Sequence, residues 1–196
     1  MSQTHFRTET QTRSSRRSYA VARVLPMATV AGLVLGPADL LAQVTLPYPW
    51  ANLANSGAVW ALAAFVLGTQ VRPAAMSAVA GLVLLAVAVE SYYLAGVVFR
   101  HDSTATLSDR VAVLWLALAV VVGPFFGLAG GAVRSTRRTV RFVAAGCAGL
   151  IFLLEAGALL RRSDLGGGSN HQTAVIEIVL AILVPLVTLA VTRPRR

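Results

Sequence analysis

Lysine is missing from this chain: all 17 of its basic residues are arginine. Acids are scarce too, eight in 196 residues, so that charged side chains make up 13% of the total, against about 25% in a soluble domain. That shortage nearly excludes a water-soluble globule of this size. Cysteine is limited to Cys147, which rules out an internal disulfide. Its neighbours Ala145, Gly146, Ala148 and Gly149 make it a small hydrophobe. With no lysine and one buried thiol, nucleophilic catalysis has no evident agent. The patterns H-E-x-x-H, G-x-S-x-G, G-x-x-x-x-G-K-[ST] and C-x-x-C are absent as well. We therefore expect neither an enzyme nor a cofactor. Of the three histidines, His5 lies near the start of the chain and His101 and His171 lie in loops. His101 and His171 could join Glu177 around a transition metal, but loop histidines are usually solvated, and no metal site is expected.

What the chain has instead is apolar sequence: 56% hydrophobic residues and a mean hydropathy of +0.70, gathered in long blocks. About 20 apolar residues cross about 30 Å of hydrocarbon. Six such spans are expected, at residues 20–43, 54–71, 74–99, 111–133, 139–160 and 173–192. The second is the least secure, because its clean stretch from Gly57 to Val71 is short. Pro47, Pro49, Arg72-Pro73 and the triple glycine at 166–168 punctuate the blocks. The predicted fold class is all-α, a six-span transmembrane helical bundle, with the lipid bilayer as its principal partner. Residues 1–19 read as a disordered basic tail, 20–192 as the membrane domain and 193–196 as a basic end.

Arginine orients the bundle. With the N-terminus inside, thirteen arginines fall on the cytoplasmic side and four, Arg100, Arg110, Arg161 and Arg162, outside. Both termini are then cytoplasmic, in a cell (inner or plasma) membrane. The same sorting removes nucleic acid as a partner, since topology already explains the net charge of +9. Ser15-Arg16-Arg17-Ser18-Tyr19 is similar to a twin-arginine export signal, but five spans follow it, and we prefer a topology anchor.

Four acids lie within or beside apolar spans: Asp39, Glu90, Glu155 and Glu177. An ionisable group at that depth costs several kcal/mol unless paired, hydrated or protonated, so each is a functional candidate. Counted from the nearest inner arginine, all four lie 14–18 residues along their helices, about 21–27 Å from the inner face. In a bundle they would define one electronegative pocket open to the outside, suited to a cation, a protonated amine or a proton relay. Tyr93 and its neighbour Tyr92 could add hydrogen bonds or aromatic faces for an ammonium group. The blander alternatives are interfacial tyrosines and acids that reach the headgroups or pair with the outer arginines. In that view Asp39 marks a helix end, and Glu177 sits in a first turn where the helix dipole favours it.

Small residues four apart let helices approach closely in lipid. Ala28, Gly32 and Gly36 form one such stripe, and Gly123, Gly127 and Gly131 another. They predict either packing inside the bundle or docking to a membrane partner subunit. Gly36-Pro37, Gly123-Pro124 and Pro185 predict kinks. A weak repeat relates Trp60 through Gly68 to Trp115 through Gly123, and the pair Ala80-Gly81 with Glu90 to Ala145-Gly146 with Glu155. It would make Glu90 and Glu155 equivalent.

The run from Trp60 to Gly68, Glu90-Ser-Tyr92-Tyr93, Gly123-Pro124-Phe125-Phe126-Gly127, Leu154-Glu155-Ala-Gly157 and Pro185 resemble an uncharacterised actinobacterial family of multi-pass membrane proteins. The resemblance covers roughly residues 24 to 192 and implies a six-span plan, without any activity or functional residue. The architecture is also similar to the substrate-binding subunits of energy-coupling-factor transporters, whose docking helix carries small residues four apart. No substrate motif of that group is present. The expected function is binding or transport of a small cationic solute or proton at Glu90, Glu155, Glu177, Asp39 and Tyr93. The alternative is an accessory subunit that docks a partner through its glycine faces.

Overall fold

The computed structural model describes residues 3–163 and 168–192. Among them the chain is all helix: α1 (Gln3–Thr45), α2 (Trp50–Ala54), α3 (Gly57–Gln70), α4 (Ala74–Phe99), a 3-10 turn at Thr104–Ser108, α5 (Arg110–Ala132), α6 (Arg138–Ser163) and α7 (Gly168–Val191). Five stretches are long and apolar enough to cross a membrane: Ala22–Thr45, Ala74–Phe99, Arg110–Ala132, Arg138–Arg162 and Asn170–Val191. The expected second span is the exception. α3 has 14 residues, about 21 Å at 1.5 Å per residue, well short of the hydrocarbon thickness. α2 has only five residues, and the chain is interrupted at Asn55 and Ser56 before α3 begins. Five of the six expected spans thus have the length to cross, and the second is the broken pair α2 and α3; α1 and α4 pack in parallel, Gly32 against Leu84 and Gly36 against Ala88, so this pair returns the chain to the end of the bundle from which α1 starts.

α1 is helical from Gln3, where a disordered tail was expected. Extending a helix that the apolar segment has already nucleated adds one hydrogen bond per residue fixed, so polar residues can follow. α1 also runs through Pro26 and Pro37 to Thr45, which places Asp39 inside a helix and not at its end. α5 and α7 likewise continue through Pro124 and Pro185. The basic end, 193–196, lies outside the described residues.

Packing is by backbone approach. A Cβ on Gly123 would stand 2.6 Å from the Gly81 carbonyl oxygen, and one on Gly127 would collide with the Ser77 carbonyl. Residue number rises on α5 as it falls on α4, so these two helices are antiparallel. Gly68 and Phe65 of α3 meet Gly127 and Gly130 of α5 in the same way. On α1, Gly32 would meet the Leu84 carbonyl at 2.6 Å, Gly36 faces Ala88 and Ser91, and Ala28 is fully buried. Gly131 faces the Ser77 hydroxyl. Both small-residue stripes are therefore consumed inside the bundle, and neither is free for a partner subunit. Lipid-facing side chains on α1 include Val30, Leu33, Val34 and Leu41, all more than half exposed. Buried Phe65 and Phe152 fill the interior.

One end of the bundle is tied by Arg141, whose Nε donates to the Val133 carbonyl at 3.2 Å and whose Nη2 donates to the Thr192 carbonyl at 3.4 Å. A cation there satisfies orphan carbonyls at the C-terminal ends of α5 and α7. At the opposite end α4 closes across His101, which has φ 58, and Asp102 donates its N–H to the Gly96 carbonyl at 3.2 Å. Asp109 then caps α5 by accepting the Ala112 N–H at 2.7 Å.

Candidate functional site

α3 begins inside the bundle, so its first amides need acceptors that neither its own turn nor bulk water supplies. Ser56, in extended backbone, accepts the Ala58 N–H at its Oγ, 3.2 Å away. Glu155 of α6 supplies the rest. Its Oε1 accepts the Gly57 N–H at 3.1 Å and its Oε2 the Ala58 N–H at 2.6 Å. The carboxylate thus stands at the positive end of the α3 dipole and spends both oxygens on the backbone, as a helix cap delivered from a different helix.

Glu177 of α7 reaches the same turn. Its Oε1 accepts the Ser56 hydroxyl at 3.0 Å. The residue is fully buried, and its Oε2 has no hydrogen-bond partner. Glu177 lies nine residues beyond the start of α7, so it is not the first-turn residue expected, and its place is explained by Ser56 and not by the α7 dipole. Above this pair Asn52 donates from Nδ2 to the Thr173 hydroxyl at 3.1 Å and to the Asn170 amide oxygen at 3.5 Å, joining α2 to α7.

Asp39 approaches α3 from the other side. Its Oδ2 accepts the Trp60 indole N–H at 3.1 Å. Asp39 is 5% exposed and its Oδ1 has no partner. It lines a cavity of about 250 Å3 between α1, α3, α4 and α5, with Trp60, Tyr92, Tyr93, Trp115, Gly57 and Arg100 among its other lining residues. The aromatics are themselves packed edge to face: Trp60 against Tyr92 with ring centroids 6.3 Å apart, and Tyr92 against Tyr93 at 5.4 Å. Tyr92 donates its hydroxyl to Gln43 at 3.3 Å. Arg100 is held by Asp102, which accepts from Nε at 3.1 Å and Nη2 at 2.5 Å. That hydrogen bonding holds the guanidinium above its ordinary pKa, and Arg100 lines the cavity as one half of an ion pair with Asp102.

Three of the four expected acids therefore gather around the first turn of α3, on two sides of it. Asp39 faces the aromatic cavity with Tyr93, while Glu155 and Glu177 lie across Gly57 and Ser56. Glu90 does not join them; it is exposed on α4. The repeat that would have made Glu90 and Glu155 equivalent is not reflected in their surroundings, since one points away from the bundle and the other caps a helix. Arg100, one of the arginines that might have neutralised them, pairs instead with Asp102. Among the described residues no three His, Cys, Asp or Glu side chains come together as a metal site, and His101 and His171 are exposed, apart from buried Glu177. Sequence reasoning missed Ser56 and Trp60 as site residues. The signal for Ser56 was present, a serine directly before an apolar run, in the position of an N-cap.

Helices long and apolar enough to span a bilayer, packed by backbone contact around buried carboxylates, give an architecture compatible with an α-helical membrane protein. More specifically, a family model described as "Family of unknown function (DUF6518)" matches residues 15–196, and the chain belongs to that family. No curated protein and no solved structure matches the chain.

Proposed function

We propose that this membrane protein binds a small organic cation, an ammonium compound, in the cavity beside Asp39, as the recognition step of a transport process. The observation that carries this reading is the Asp39 carboxylate, 5% exposed and with Oδ1 unpartnered, set in a cavity walled by two tryptophans and two tyrosines. Tryptophan and tyrosine number only three and four in the chain, so their gathering here is selective. A carboxylate supplies the counter-charge, and aromatic faces attract an ammonium group by about 0.5–2 kcal/mol each. A cavity of about 250 Å3 suits a ligand of modest size, near the lower end of the range for small-molecule sites. The bundle stands with its Arg141 end at the cytoplasmic face of the plasma membrane and both termini inside, so the cavity opens outward, in keeping with the arginine distribution. No catalytic step belongs to this reading.

The test is intrinsic fluorescence of the purified protein titrated with quaternary and primary ammonium compounds, since Trp60 and Trp115 line the cavity. Saturable quenching should weaken about 10–100-fold in Asp39→Asn, the loss expected when a charged hydrogen-bonding partner is neutralised. Identical titration curves for wild type and Asp39→Asn refute the proposal.

A further inference from the structure

A second polar site lies across the α3 backbone from the aromatic cavity, and the proposal above makes no use of it. Glu155 and Glu177 both reach the start of α3, yet their situations differ. Both oxygens of Glu155 are taken up by the Gly57 and Ala58 N–H groups, and the helix dipole offsets part of its charge. Glu177 is fully buried, has a single neutral donor in Ser56, and leaves Oε2 without any. A buried carboxylate with one oxygen bare is a costly arrangement unless something cationic completes it.

We propose that Glu177 and Ser56 form the core of a binding site for a single small alkali cation, with sodium as the natural occupant. The charge points to a monovalent ion, because Glu155 is already spent on the backbone and one uncompensated carboxylate remains. The donors are hard oxygens, carboxylate and hydroxyl, without imidazole or thiolate, which disfavours transition metals. Asn52, Asn170 and Glu155 are only part-buried, so an ion has a polar route inward between α2 and α7. The occupant adds a polar tie between α3 and α7 beside the Ser56–Glu177 hydrogen bond, and its binding therefore stabilises the fold.

The experiment follows thermal unfolding of the full chain in detergent, titrated with NaCl, KCl and choline chloride at constant ionic strength. Sodium should raise Tm in a saturable way, by about 5–11 °C at a hundredfold excess over Kd. Glu177→Gln should abolish the response, Ser56→Ala should shift its midpoint about tenfold, and Asp39→Asn should leave it intact. Asp39→Asn thus separates failure of this site from failure of the ammonium site. Equal effects of all three salts overturn the proposal, as does a sodium response that survives in Glu177→Gln. Stabilisation by acid alone, abolished by Glu177→Gln and indifferent to sodium, assigns the site to a proton and also overturns it. Should Glu177→Gln not fold, an unshifted midpoint in Ser56→Ala decides against the site.

Discussion

Replacing Glu155 tests the central physical relationship in this fold, the capping of a short internal helix by a carboxylate from elsewhere. Glu155→Ala strips acceptors from the Gly57 and Ala58 N–H groups, whose bonds measure 3.1 and 2.6 Å. Hydrogen bonds to a charged partner contribute about 1.5–3 kcal/mol each. Glu155 is only half-buried, so water recovers part of that, and a total loss of about 2–4 kcal/mol is expected for alanine. Glu155→Gln keeps one carbonyl acceptor but gives up the charge at the helix terminus, for a loss of about 1–2 kcal/mol. At about 2–4 °C per kcal/mol for a chain of this length, Glu155→Ala should melt about 4–16 °C below wild type, with Glu155→Gln between them. Amide hydrogen exchange supplies the local readout, because Gly57 and Ala58 should lose protection before the rest of α3 does. Unchanged melting and unchanged exchange at these two amides in the alanine variant would refute the capping role.

Other substitutions follow from the packing. Gly81→Ala drives a methyl group into the Gly123 backbone and should cost about 1–3 kcal/mol, with loss of monodisperse protein on size exclusion. Gly146→Ala, where nothing lies within 4 Å of the added carbon, should be neutral or stabilising by about 0.5–1 kcal/mol in the same assay. Glu90→Gln should leave ammonium quenching unchanged and alter stability by no more than about 0.5 kcal/mol, as befits an exposed group outside both polar sites; a binding defect equal to that of Asp39→Asn would contradict the placement of Glu90.

The long helices were legible because an unbroken apolar run leaves few alternatives. Expected spans at 74–99, 111–133 and 139–160 correspond to α4, α5 and α6 within a few residues. Hydropathy measures whether a segment tolerates lipid, not whether it is continuous, so the second expected span gave no sign of its interruption at Asn55 and Ser56. Ser56 breaks it, and only the fold shows that the break is buried. Counting along the helices drew attention to Asp39, Glu155 and Glu177, which meet around the first turn of α3. Their partners were not readable. Glu155 bonds to backbone amides 97 and 98 positions away, and a backbone amide has no signature in a sequence. Glu90 and Glu155 have similar apolar surroundings in the chain; which of them turns inward depends on how each helix is rotated against its neighbours. The glycine stripes marked contact faces correctly, but a stripe does not say whether the neighbour belongs to the same chain.

The Glu155 cap also constrains how the protein is assembled. α3 is too short to be retained across the bilayer by length alone, and its leading amides lack the Glu155 carboxylate, with only the Ser56 hydroxyl to cap Ala58, until α6 has been made and has docked. The polypeptide must therefore hold residues 50–70 in a provisional state, at the interface or against α5, while some eighty further residues are synthesised and inserted. Threading of this bundle is accordingly not a strict sequence of hairpins: an early segment waits for a late one to be locked in place.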